Sequence, residues 1–252
     1  HQTAFIFVIH TIVSNACLTG NRDWCQFVLS VEDEVMAKLE VKKAAGAANS
    51  DEADGAKRRL FLAAEELVAE RGFEAVSSRD ITAAADANVA AINYYYGSKN
   101  KLLFEVFKAR AAELNRERAA LLSAAIAKDP KDAKGILRAF IEPPTLWISD
   151  ERKTALRFLN RSRSEGPQEI REVILKDVRH LKLFADALIN ALPHLDREEV
   201  LWRLHFAQGV LHHNSAADYA RLNLLSGGLC TPDDRQALLD RLYNFIAAGF
   251  GL

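Results

Sequence analysis

"SSRDITAAADANVAAINYYYGSK", residues 77–99, is the stretch on which the fold turns. Ser77 is placed to cap a helix while Asp80, three residues on, reaches back to it. This is a capping-box arrangement in which Asp replaces the usual Glu. That helix is expected to end by Ala85. "DAN" at 86–88 supplies a tight turn, because Asp and Asn are the non-glycine residues most tolerant of left-handed backbone. Asn88 then stands where it can cap a third, short helix from Val89 to about Tyr95. Two short helices across a three-residue turn make a helix-turn-helix.

Outward from that stretch, apolar residues fall at helical spacing almost everywhere from Ala56 onward, with no alternating strand and no repeat of fixed period. The fold class is therefore all-α. A first helix is expected from about Ala56 to Arg71, its apolar face made by Leu60, Ala64, Leu67 and Val68, with Gly72 as its stop. Ser98 caps a long helix from Lys99 to about Ala127. Further helices are expected at about Lys131 to Ile141, broken at Pro143-Pro144, then Asp150 to Ser164, Pro167 to Leu192, Arg197 to Leu225 and Pro232 to Ala248. The domain reading is an extension and mobile arm over 1–55, a three-helix unit over 56–104, and a helical bundle over 105–252.

The chain has 252 residues, 49% hydrophobic and 27% charged, enough for one or two ordinary cores. Its formal net charge of −1 gives no global basic field, so a nucleic-acid site must be a local arrangement of charge. Cys17, Cys25 and Cys230 include no CxxC pair, which fits a reducing, cytoplasmic compartment and argues against a disulfide framework or a structural zinc site. The apolar run from Phe5 to Val13 is too short to span a bilayer and lacks the positive flank of a signal peptide. The only methionine is Met36, and the natural product is expected to begin there, with 1–35 an upstream extension. The sequence has no GxSxG, GxGxxG, phosphate loop or HExxH, so no catalytic residue, cofactor or metal is expected.

A helix can read base edges in the DNA major groove if its exposed residues are small or hydrogen-bonding and its flanks grip phosphate. Residues 88–99 meet that demand. Asn88, Val89, Ala91 and Asn93 would point outward, while Ile92 and Tyr96 pack inward on Leu60, Leu67 and Ile81. Tyr94 and Tyr95 would stand at the groove edge as phosphate donors, and Lys99 in the first turn of the next helix, where the positive dipole end also favours phosphate.

Over residues 56–107 the sequence resembles the DNA-binding domain of the TetR family of one-component transcriptional regulators, in which the helix-turn-helix is followed by an aromatic pair and Gly-Ser-Lys. The resemblance places base-reading positions on Val89, Ala90, Ala91 and Asn93. It places phosphate-gripping positions on Ser77 or Ser78, Tyr94, Tyr95 and Lys99, and brings the first helix's N-terminus, with Lys57, Arg58 and Arg59, near the DNA backbone. The turn usually carries Gly-Val where this chain has Asp86-Ala87, a departure costing about 1 kcal/mol. The many methyls on the short helix imply contacts to thymine methyls and a share of readout through DNA shape.

Residues 130–252 resemble the effector-binding and dimerisation domain of a TetR subgroup carrying "INYHFGSK" and a late "WRLHF"; here these read "INYYYGSK" and "LWRLHFAQGVLHH". The resemblance implies a small-molecule effector of lipid-like character. A helical bundle can hold such a molecule between its helices. The candidate lining residues are Trp147, Arg157, Phe158, Arg161, Trp202, His205 and Phe206. His205, Gln208, His212 and His213 read as a polar dimer interface rather than a metal site. The last two long helices carry enough Leu, Phe and Ala for a four-helix seam with a second copy, giving a homodimer on double-stranded DNA with half-sites about 34–36 Å apart or a multiple. The alternative function is an all-helical protein-interaction module, which leaves the capped, tyrosine-flanked short helix unmotivated.

Overall fold

The computed structural model describes residues 54–212 and 216–252, and among these every regular element is a helix. The expected start at Met36 and the expected arm lie outside the described residues, as does His213. The packing below concerns the chain from Arg59 onward. A helix α1 covers 54–71, followed by α2 (Ser78–Ala84), α3 (Ala91–Tyr96) and the long α4 (Lys99–Lys128). The remainder is α5 (Ala133–Leu146), α6 (Asp150–Glu165), α7 (Gln168–Lys176), α8 (Arg179–Ala191), α9 (Arg197–His212), α10 (Ala216–Leu225) and α11 (Arg235–Gly249).

Two hydrophobic cores share α4 as a spine. The first gathers Leu60, Ala64 and Val68 of α1, Ile81 of α2, Ile92 of α3 and Leu102, Leu103 and Val106 of α4, and also takes in Phe158 and Leu159 of α6 and Ile170 of α7. The second collects Ile136, Leu137 and Phe140 of α5, Phe184 and Leu188 of α8, Val200 and Leu204 of α9, and Leu239 and Ile246 of α11 around Leu122 of α4. Burial of apolar side chains of this size contributes about 1.5–3 kcal/mol each, which is what holds short helices such as α2 and α3 in place.

Three boundaries differ from expectation. α5 runs through Pro143-Pro144 to Leu146 rather than breaking before them. Each proline withholds the N–H that would bond the carbonyl four residues earlier. Those of Ala139 and Phe140 thus lose their helical donors, and the Nε of Arg118 supplies one to the Phe140 oxygen at 3.1 Å. The expected helix from Pro167 to Leu192 is two, parted at Asp177-Val178, where Asp177 pairs with Arg179 at 2.6 Å. The expected helix from Arg197 to Leu225 is likewise described as α9 and α10.

α4 also carries a buried ion-pair network. Arg110 meets Glu65 of α1 through two bonds of 2.7 and 2.8 Å, and reaches Glu113 at 3.0 Å and Glu151 at 2.9 Å. Burial raises the Glu65 carboxyl above its ordinary value against the pull of Arg110, while the Glu65 hydrogen bonds hold the guanidinium well above its own. With two parallel N–H···O bonds the pair is charged at neutral pH, and it ties α1 to α4 in one register.

Candidate nucleic-acid interface

The capping box forms as read: the Ser77 hydroxyl accepts from the Asp80 N–H at 3.2 Å and the Asp80 carboxylate accepts from the Ser77 N–H at 2.8 Å. The Ser77 hydrogen bonds, its side chain's first, hold the Asp80 carboxyl below its usual range. At the other end of α2, Asp86 takes φ 47°. Its N–H reaches the Ala83 oxygen and the Ala87 N–H reaches the Thr82 oxygen at 2.9 Å, the paired bonds of a Schellman motif with Asp where glycine is usual. Arg59 adds a side-chain cap, its Nε donating to the Ala85 oxygen at 2.9 Å. Of the basic residues near the start of α1, Arg59 therefore serves the turn. Arginine is common on exposed helix faces, so spacing alone did not disclose this.

Residues 89–90 form a turn and α3 begins at Ala91, two residues later than expected. Asn88 braces that turn: its Oδ1 accepts from the Ala90 N–H and its carbonyl from the Ala91 N–H, each at 2.8 Å. Asn88, Val89, Ala90, Asn93 and Tyr94 are exposed together. Ala91 is half-buried and packs on the head core, so it does not stand outward with them.

The tyrosines divide differently from expectation. Tyr94 is 82% exposed, whereas Tyr95 and Tyr96 are both half-buried and pack against the first core. Tyr95 still meets Tyr94 edge to face, at 4.8 Å between ring centres, and so sets the direction of the exposed ring. Gly97, at φ 80°, ends α3 in a conformation that side chains rarely adopt, and Ser98 caps α4 by accepting from the Lys101 N–H at 3.1 Å.

Lys99 is also redirected. Its ammonium donates to the Val76 oxygen at 2.7 Å and the Phe73 oxygen at 3.4 Å, clasping the loop between α1 and α2. An ammonium has three donors, so one remains for an outside acceptor. Ser77 is spent on its cap, and Ser78 is half-buried beside it. The arrangement is a shallow ridge of small and amide side chains with one projecting phenol, flanked by helix N-termini. Such a surface can enter a groove and donate hydrogen bonds to phosphate.

The seven residues expected to line an effector cavity do not converge. Trp147 is buried in the first core, its Nε1 donating to Glu117 at 2.8 Å. Phe158 is buried there too, against Phe73 at 5.4 Å. Arg161 is a latch: it donates to the Ala69 and Glu70 oxygens at 3.2 Å each and pairs with Glu165 at 2.9 Å. Glu165 in turn accepts from the Phe73 N–H at 3.3 Å, so α6 grips the end of α1. Gly72, at φ 91°, is required there, since a Cβ would lie 2.5 Å from the Glu165 carboxylate. Arg157 is exposed and bonds Thr154. Trp202, His205 and Phe206 form an exposed aromatic group on α9, with Trp202 stacked on Phe206 at 5.8 Å. Among the described residues no group of His, Cys, Asp and Glu is placed to hold a metal, and no helix is long and apolar enough to cross a membrane.

Comparison with known proteins bears on both cores. Residues 60–106 match the family "Bacterial regulatory proteins, tetR family", and residues 138–249 match "Tetracyclin repressor-like, C-terminal domain". The fold is similar to the crystal structure of the TetR family transcriptional regulator PfmR from Thermus thermophilus, with TM-score 0.53 and 19% identity over 75% of this chain and 96% of that one. It is also similar to a gamma-butyrolactone receptor (ArpA like protein), with TM-score 0.51 and 16% identity over 77% of this chain and 98% of that one. At these identities the structural likeness is one of fold. Comparison with curated proteins gives no match. With its reading head and its bundle matched in order along the sequence, the chain belongs to the TetR family of bacterial regulatory proteins.

Proposed function

We propose that the protein is a dimeric transcriptional repressor that binds a palindromic operator and is released from it by a small-molecule effector. The observation that carries the reading is the surface of α3 and its preceding turn. Val89, Asn93 and Tyr94 are exposed side by side on an element whose Ile92 is fully buried, so the ridge is held rigidly with nothing among the described residues covering it. Asn93 would meet base edges, with Val89 and Ala90 against thymine methyls. Tyr94 would donate to a phosphate, held at its angle by the Tyr95 ring, and Lys99 would add its third N–H to the same strand. Acting on DNA, the protein would work in the cytoplasm.

A second copy fits the far end of the bundle. α9 exposes Leu201, Trp202 and Phe206, α10 exposes Leu222, Leu224 and Leu225, and α11 exposes Phe245. Apolar side chains gathered on neighbouring helices in this way mark an interface, and a twofold dimer would present two heads to a symmetric site. The effector would act by binding more tightly to the form whose head spacing does not match the operator. Gripping α1 from α6, the Arg161–Glu165 latch offers the route.

Selection of binding sites from random DNA, followed by native mass spectrometry of the complex, tests the reading. A twofold-symmetric consensus carrying two chains is expected. Absence of any consensus overturns the DNA reading, and an asymmetric site bound by one chain overturns the dimer.

A further inference from the structure

We propose that Arg118, Arg163 and His180 hold the carboxylate head of the effector, an acid with an apolar body. This rests on the reading of the protein as an effector-controlled regulator. Arg118 comes from α4, Arg163 from α6 and His180 from α8, and they lie close enough for their charges to act on one another. Arg118 is only 7% exposed, yet among the described residues neither it nor Arg163 makes an ion pair. The nearby carboxylate, Asp177, is already engaged by Arg179 at 2.6 Å. An isolated buried cation is costly unless something compensates it.

A purely structural role accounts for part of Arg118. Its Nε replaces the N–H that Pro144 lacks and satisfies the Phe140 oxygen at 3.1 Å. The two Nη groups have no protein partner among the described residues. Because no buried side-chain nitrogen or oxygen among those residues lacks one, these Nη groups border space that water can enter. The Phe140 ring covers one face of the guanidinium, at 4.4 Å from its centre, which leaves the in-plane fork as the open side. A planar two-oxygen anion fits a fork of two parallel N–H groups. Around it the walls are aromatic, Phe140 meeting Phe184 at 5.0 Å, which suits an acid with a hydrocarbon body.

The electrostatics agree with that geometry. Burial first, and then the Arg163 charge, pushes Arg118 down to about 9. Burial and then Arg118 push His180 down to about 4, against Asp177, which pulls up, and with Arg163 and Arg179, which push down. A bound carboxylate would reverse the pressure on both, and His180 would take up a proton as it binds. Arg163 lies between Arg161 and Glu165 in sequence, so an anion drawing on Arg163 loads the helix that grips α1.

Octanoate, octan-1-ol and inorganic phosphate are the probes, titrated calorimetrically into the full chain and into Arg118→Met and Arg163→Gln, with melting curves as the folding control. Octanoate is expected to bind the parent at least tenfold tighter than octanol, with net proton uptake near pH 6. Each variant is expected to lose at least tenfold toward octanoate alone. Arg163 keeps part of its surface in solvent, so its variant stands as a readable case whatever Arg118→Met does to the fold. No octanoate binding, equal octanol binding, or parent-like binding by Arg163→Gln overturns the site, and tighter phosphate binding overturns the carboxylate assignment. Affinity for the selected DNA is measured separately: failure there with octanoate bound as expected strikes the regulator reading and leaves the anion site standing.

Discussion

Arg110 and Arg118 lie about two turns apart on α4. Both are nearly removed from solvent, yet one meets three carboxylates and the other a single carbonyl. On the head side the cation is saturated and the helices around it are fixed in register. On the bundle side the cation has spare donors, and the helices around it carry a proline pair and a break. The difference teaches which end of the molecule is built to keep its shape for DNA and which is built to receive something.

The largest expected effect is on the saturated side. Glu65→Ala leaves Arg110 buried with only Glu113 and Glu151, and should cost about 3 kcal/mol of stability by denaturant melting. Arg118→Met, by contrast, removes an uncompensated charge and is expected to melt no lower than the parent. An equal loss from both substitutions would break the comparison.

Acidity sharpens it next. His180 has its folded value depressed to about 4 from the ordinary 6.5, so the unfolded chain binds more protons between those limits. Stability is therefore fully present above about pH 6.5 and falls as pH drops toward 4, by about 2 kcal/mol once partial solvent screening is allowed for. Urea melts of the parent and His180→Ala across that window check the sign, the variant losing this part of the slope. A smaller effect belongs to the head: Asp86→Gly, at φ 47°, should stabilise by about 0.5–1 kcal/mol without altering DNA preference.

Much of the head was legible because its signals are local. The Ser77–Asp80 box, the left-handed Asp86, the Gly97 stop and the Ser98 cap each follow from residues within three or four positions of one another. Where the sequence reading departed from the structure, the deciding partner lay far along the chain. Lys99 looked like a free phosphate ligand because the Phe73 and Val76 oxygens that it clasps carry no side-chain signature. Tyr95 turned inward because the core beside α3 reaches further than a three-helix unit suggests, taking in Phe158 and Ile170. Pro143-Pro144 looked like a stop because the donor that compensates one of them comes from Arg118 on another helix. Arg161 looked like a lining residue because backbone oxygens at the end of α1 are invisible to pattern reading.

The central claim, that the ridge of α3 reads DNA, is tested most directly by affinity for the selected site and for a scrambled one across a salt series. The parent is compared with Asn93→Ala/Tyr94→Phe, two exposed positions whose change should leave melting untouched. The account predicts that the parent prefers its site by about a thousandfold or more and that the double variant loses about 1–3 kcal/mol of that preference. A parent without preference, or a double variant that discriminates as the parent does, would contradict it.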